Sequence, residues 1–323
     1  MKNNPETLVA SYRNEIDLGL KHLRIPEKPS GLYKPMVYSA TAPGKRIRPL
    51  LAFLTGEGLG VDHDRLRPAA LAVEVLHAFT LVHDDIMDND TRRRGLETVH
   101  VKWDTNTAIL SGDGLMALAF RLLMETDAGR IRQMGFEFSQ AMLEICEGQA
   151  LDVEFESRLD VTAMDYLDMV GKKTGRLLGL SCQLGALISD ADESVAENLN
   201  RFGIELGQAF QIQDDLLEIT SDTRNMGKSL DSDITSGKKT YPLILVLGGL
   251  SMSEKRSFLE FMKINLDNRK AILDVFQQKD IFTKTSDKIT QLMNNALKRL
   301  DQLPLMATEN LQYLVDMISK RQR

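Results

Sequence analysis

Cysteine is scarce in this chain: Cys146 and Cys182 are the two among 323 residues. Their spacing fits neither a metal site nor a redox motif, so a disulfide-stapled scaffold is excluded and two reduced core thiols are expected. No stretch reads as long and apolar enough to cross a bilayer, and the opening MKNNPETLVASYRNE has no signal-peptide core. A cytoplasmic protein without a membrane span is therefore expected. There is no excess of basic residues. The net charge of −6 gives no reason to expect nucleic-acid binding, and an anionic substrate would have to be drawn by local cations or a bound metal. Repeats, low-complexity tracts and Gly/Ser-rich linkers are absent as well, so residues 1–323 are expected to form one domain.

Proline is missing from Val73 to Tyr241, and alternation of β-branched residues is scarce throughout. Long helices tolerate no interior proline, so the chain reads as all-α, a helical bundle with its long middle helices as core. Helices are predicted near 5–22, 44–57, 66–89, 98–126, 129–157, 162–189 and 192–219, with shorter ones near 240–250, 253–265, 268–279, 281–302 and 306–320.

What the chain does have is a dense charged stretch, LVHDDIMDNDTRRRG, from Leu81 to Gly95. It emerges from the apolar run Leu71 to Val82 and so continues a largely buried helix. Asp84 and Asp88 are four apart, one turn from each other on one face. Two carboxylates so placed repel unless a cation lies between them, and a hard divalent ion with oxygen ligands resolves that repulsion. Arg92, Arg93 and Arg94 follow directly, and guanidinium captures phosphate bidentately. A diphosphate between metal ions and a cationic fork accounts for the whole stretch; solvated caps and surface ion pairs account for it one charge at a time.

Other polar islands are open to two readings each. In APGKRIRPL, Ala42 to Leu50, the cations Lys45, Arg46 and Arg48 crowd the start of a helix, where they oppose the dipole; either a solvated basic turn or an anion site explains them. His77 lies two turns before Asp84 on nearly the same face, as a core histidine or as a phosphate donor. Phe79 and Thr80, just below Asp84, are core side chains or the lining of a cavity under the metal site. Gln149 and Asp152 in EGQALD need polar partners, which a metal-diphosphate site or a neighbouring helix would supply. Lys173 and Thr174 interrupt the small-residue helix GKKTGRLLGL, whose glycines Gly171, Gly175 and Gly179 suggest close approach of another helix or of ligand.

A second acidic site decides between these readings. FQIQDDLLE, Phe210 to Glu218, places Asp214 and Glu218 one turn apart on another apolar helix, and Lys228, Lys238 and Lys239 follow downstream. Two acidic clusters on buried helices, each trailed by cations, read as opposite walls of one cavity.

From about Gly44 to Pro242 the chain resembles the trans-isoprenyl diphosphate synthases, the polyprenyl synthetase family that includes farnesyl and geranylgeranyl diphosphate synthases. The resemblance rests on the ordered series GKRIRP, HAFTLVHDDIMD, RRG, GDGL, EGQALD, KKT, FQIQDD, GKSLDSD and GKKTYP. It implies an all-helical bundle around a deep central cavity, of isoprenoid synthase type, usually a homodimer. It further implies that Asp84 and Asp88 hold two magnesium ions and Asp214 a third, with Asp85, Asp215 and Asp152 in support. Arg93, Lys173, Lys228 and Lys238 would touch the diphosphate of an allylic substrate (dimethylallyl, geranyl or farnesyl). Lys45, Arg48, His77 and Arg94 would bind isopentenyl diphosphate, and Thr174 and Gln211 would lie by the reacting carbons. An aromatic Phe79 beside the small Thr80 goes, in the family, with a twenty-carbon product. Geranylgeranyl diphosphate is thus the expected product, with farnesyl diphosphate next and a longer chain, a terpene cyclase or a non-catalytic synthase subunit behind. Glu218, where the family more often has Asp, and Glu97, where a proline often follows RRG, are departures.

Overall fold

Helices account for nearly all of the regular structure in the computed structural model, which describes residues 4–220, 237–265 and 268–319. These fall into two compact units. The first comprises Met1–Gln140, Leu177–Arg201 and Arg299–Arg323, and the second Ala141–Arg176 and Phe202–Lys298.

In the first unit α1 (Pro5–Lys21), α2 (Ser30–Ala40) and α3 (Ile47–Gly58) precede the long α4 (His63–Met87). Helix α4 starts three residues before the expected 66 because the Asp62 carboxylate caps it, accepting from the Asp64 amide at 3.0 Å. Its stretch from Ala69 to Ala78 is buried without interruption. α6 (Thr105–Met124) packs along it most extensively, and Leu115 and Leu123 of α6 join Leu66, Val73 and Leu76 of α4 in the core. Where one helix is predicted over 98–126, a short α5 (Val99–Lys102) comes first. Asp104 then starts α6 afresh, accepting from the Thr107 amide at 2.8 Å and its hydroxyl at 2.9 Å.

α6 also corrects the expectation that nothing in the chain could cross a membrane: by length and composition it is long and apolar enough. Its apolar residues include Leu118, Ala119 and Leu122, buried against neighbouring helices, and Leu110 and Phe120, which are exposed. Between α4 and α5 lies a hairpin of β1 (Arg92–Arg93) and β2 (Leu96–Glu97), absent from the all-helical reading. Its two central residues, Arg94 and Gly95, both have positive φ, as a two-residue type I′ connection requires.

The second unit holds most of α7 (Ile131–Ser157), then α8 (Ala163–Val170), opened by a capping box between Thr162 and Asp165. Its chain runs through a π-helical turn, Gly171–Gly175, into α9 (Arg176–Ile188), which from Leu177 on belongs to the first unit, as does the start of the next helix up to Arg201. The long α10 (Glu193–Thr220) follows, and α11 (Tyr241–Gly248), α12 (Met252–Ile264), α13 (Arg269–Gln278) and α14 (Ile281–Asp301) build an apolar cluster around Phe276, Leu243 and Ile272. α15 (Thr308–Ser319) closes the chain in the first unit. Of the two thiols expected in the core, Cys182 is buried there. Cys146 is exposed, because it lies on the outward face of α7.

Candidate active site

The first acidic motif occupies the C-terminal end of α4. Asp84 is partly buried, Asp85 is buried and Asp88 is the exposed C-cap. Carboxylates here face the negative end of the helix dipole, the less favourable end for them. Asp85 is answered by Arg93, whose Nε donates to it while a terminal nitrogen donates to Asp90 at 3.1 Å. Burial nevertheless pushes the Asp85 carboxyl up to about 6, with Arg93 pulling against that rise.

Around His77 the same unit gathers positive charge. His77 is buried, and desolvation together with Arg48, Arg94, Arg93 and Arg46 holds its imidazolium pKa well below the ordinary range, so the ring is neutral at pH 7. Burial likewise brings the Arg48 guanidinium down to about 10, and its Nε is buried without a hydrogen-bond partner among the described residues. Arg94 donates to the Pro43 carbonyl at 2.7 Å. A cleft opens here, with His77, Arg93 and Arg94 on its polar wall and Ala78, Leu81, Val82 and Val99 on its apolar one. Lys45 and Arg48 are not part of that lining, which Arg46 and Glu74 join instead; Lys45 lies exposed on the loop before α3, outside the helix start expected for it. Phe79 and Thr80 are both partly exposed; Phe79 meets the His83 ring edge-on at 4.9 Å, and the Thr80 hydroxyl donates to the His77 carbonyl at 2.9 Å.

In the second unit the expected residues are linked by hydrogen bonds. The Thr174 hydroxyl donates to Gln211 Oε1 at 3.3 Å, and Gln211 Nε2 donates to Asp215 Oδ1 at 3.2 Å. Asp215 is buried and accepts two further bonds on Oδ2, from the Tyr166 hydroxyl at 2.6 Å and from the Tyr241 amide at 2.9 Å. Its carboxyl still rises to about 6, because desolvation exceeds what these donors return. Tyr166 has no motif to announce it; its one sequence cue is a phenol on the face of α8 shared with Met169 and Val170, which needs a partner when buried. Asp214 and Lys238 are partly buried, and Lys173 Nζ pairs with Asp152 at 2.5 Å. Lys228 lies outside the described residues.

Lys173 and Thr174 stand on the π turn, a local widening of the helix that recurs at functional sites. The small residues around it are needed for room. A Cβ on Gly148 of α7 would fall 2.3 Å from the Lys173 backbone nitrogen, and one on Gly207 of α10 would fall 2.5 Å from the Gly175 Cα. The expected close approach at Gly175 is therefore to another helix, Ile204 of α10 lying against it.

Residues 29–278 match the family model described as polyprenyl synthetase. The chain belongs to the polyprenyl synthetase family. Among curated polyprenyl synthetases, it is 40% identical over 296 residues to a geranylgeranyl diphosphate synthase of Saccharolobus solfataricus, covering 88% of each chain. It is 38% identical over 305 residues to one of Sulfolobus acidocaldarius, covering 90% of this chain and 91% of the relative. The crystal structure of geranylgeranyl pyrophosphate synthetase from Pyrococcus horikoshii superposes with a TM-score of 0.89 at 32% identity, over 98% of both chains. As a polyprenyl synthetase the chain is a short-chain trans-prenyltransferase, joining isopentenyl diphosphate to an allylic diphosphate with Mg²⁺.

The residues fit that metal. Magnesium takes one or two carboxylates and leaves the rest of its shell to water and substrate phosphate. Asp84 and Asp88, one turn apart at the C-terminal end of α4, are a carboxylate pair of the kind such an ion takes.

Proposed function

We propose that this polyprenyl synthetase makes geranylgeranyl diphosphate, and that its two acidic motifs serve one allylic diphosphate. Asp84, Asp88 and Asp214 would hold three magnesium ions, with Asp85, Asp215 and Asp152 in support; when bound, the metal supplies charge against which the diphosphate departs. Arg93, Lys173, Lys228 and Lys238 grip that same diphosphate. The Arg93–Asp85 and Lys173–Asp152 pairs keep two of these cations in place until the substrate competes for them.

Lys45, Arg48, His77 and Arg94 hold isopentenyl diphosphate. Its double bond attacks the allylic carbocation, a carbon–carbon bond forms, and the departed diphosphate takes the proton released. Thr174 and Gln211 turn oxygen dipoles to the cation, which stabilise it without trapping it. The observation that carries the reading is the buried, neutral His77 on one cleft with Arg93 and Arg94, with Arg48 and Arg46 adding their charge to its surroundings. A cyclase, which ionises one diphosphate alone, has no use for this second anion pocket.

The twenty-carbon product draws support from the geranylgeranyl synthases at about 40% identity and from the aromatic Phe79 beside the small Thr80. Exposed Leu110, Phe120 and Phe136 support a homodimer as the working assembly. Incubation with Mg²⁺, labelled isopentenyl diphosphate and each allylic starter, followed by sizing of the products, tests the reading. A twenty-carbon product is expected, and turnover should vanish in Asp84→Ala with the fold retained. A fifteen-carbon end product would move the assignment to farnesyl diphosphate, and full activity in Asp84→Ala would remove that carboxylate from the chemistry.

A further inference from the structure

Three cations stand together in the motif Lys45–Arg46–Ile47–Arg48, and the structure separates their tasks. Arg46 is turned inward. It is 5% exposed, and its three guanidinium nitrogens are each engaged by the protein: Nε on Asp17 of α1 at 2.8 Å, one terminal nitrogen on Glu74 of α4 at 2.7 Å, the other on the Ala42 carbonyl at 2.7 Å. Glu74 is itself 4% exposed. Arg46 also caps α3 with a left-handed backbone, φ +54°, which a side chain of this size adopts where its surroundings hold it. We propose that Arg46 and Glu74 are positioning residues for isopentenyl diphosphate: their buried ion pair pins the loop 42–46 to α4 and so holds Arg48 and Arg94 about His77. This rests on the reading of Lys45, Arg48, His77 and Arg94 as the residues that bind isopentenyl diphosphate.

Two further contacts join the pair to the pocket. Arg94 donates to Pro43 in the middle of the loop, and a Cβ on Gly44 would lie 2.5 Å from the same guanidinium, so hairpin and loop are interlocked where Arg46 anchors them. Glu74 lies three residues before His77 on one helix, which puts both on neighbouring positions of one face. Its carboxylate is also the leading charge that opposes the desolvation of both Arg48 and Arg94. Losing it would leave mutually repelling guanidiniums in the pocket with less to hold them at their spacing.

The test exploits the fact that a buried ion pair replaced on both sides by apolar residues of similar volume often keeps or raises stability. Arg46→Met/Glu74→Met should retain its melting temperature within a few degrees, while KM for isopentenyl diphosphate rises about tenfold or more and the allylic KM stays within twofold. Glu74→Gln and Asp17→Asn, which preserve shape, should show the same split to a smaller degree, and they carry the test if the double variant does not fold. A folded variant with unchanged KM for isopentenyl diphosphate overturns the proposal, provided Arg48→Ala, run alongside, does raise it. If Arg48→Ala leaves that KM unchanged as well, the pocket assignment is what fails, and the positioning role falls with it.

Discussion

Replacing Tyr166 by Phe removes one oxygen and leaves the packing, so its effect isolates a single hydrogen bond in the second acidic motif. That bond, 2.6 Å long and fully buried, runs to the ionised form of Asp215. Hydrogen bonds to charged groups contribute about 1.5–3 kcal/mol, and about 1.4 kcal/mol corresponds to one pKa unit. The Asp215 carboxyl, already at about 6 through burial, should therefore climb by roughly one to two units when this donor is lost. Because its folded-state pKa exceeds the unfolded 3.8, the stability Asp215 contributes is complete below that value and lost as pH rises through about 6. In Tyr166→Phe the loss extends to higher pH and the variant falls further behind the parent between pH 6 and 8. Melting curves in EDTA across pH 4–9 would show this. Superimposable melting curves would refute the argument, because the Asp215 environment would then not depend on Tyr166.

Other consequences can be measured as directly. Gly148→Ala drives a methyl group to within 2.8 Å of the Lys173 Cα, so it should cost about 1–3 kcal/mol by denaturant melts and depress turnover by displacing Lys173 from Asp152. Phe79→Ala should lengthen the product on chromatographic sizing; an unchanged product distribution takes Phe79 out of the chain-length floor. His63, between Glu57 at 2.6 Å and Glu15 at 2.8 Å, has its pKa raised by those bonds. Its contribution to stability is complete below the unfolded 6.5 and lost as pH rises through the higher folded value, a drop in melting temperature that His63→Asn should lack.

Much of the candidate site is legible in the sequence because its chemistry interrupts a periodic pattern. Asp84, Asp88 and Asp214 stand out by emerging from apolar helices, and Thr174, Gln211 and Asp215 are found hydrogen-bonded to one another in the folded chain. What escapes the sequence depends on contacts distant along the chain. Helix α2 carries Pro35 in its interior and reads as a loop, yet it forms because Met36 packs against Gly114 of α6, which propensity cannot anticipate. The π turn is equally hidden: Gly171 to Gly175 scans as poor helix, and its widening depends on Gly148 and Gly207 from helices before and after it. The break before α6 was available, since Asp104 followed by Thr107 is a capping signal, but the apolar period runs straight across it. Arg46 and Arg48 are alike in sequence; what separates them is Glu74, twenty-eight residues further on.

Two of the motifs share one physical oddity. Asp84 and Asp85 stand in the last turn of α4, a helix of 25 residues with no basic residue there, and Arg48 stands in the first turn of α3 with no acid beside it. Each such charge is disfavoured by about 0.3–1 kcal/mol relative to the opposite end. A fold selected for stability alone would have exchanged them. Local rules broken in this way are what functional sites are expected to show, and under the function proposed above divalent cations would answer the acids of α4 and an anion the cation of α3. The sign of each departure, and not the acidic motif alone, is then what ties this sequence to the proposed handling of Mg²⁺ and diphosphate in prenyl transfer.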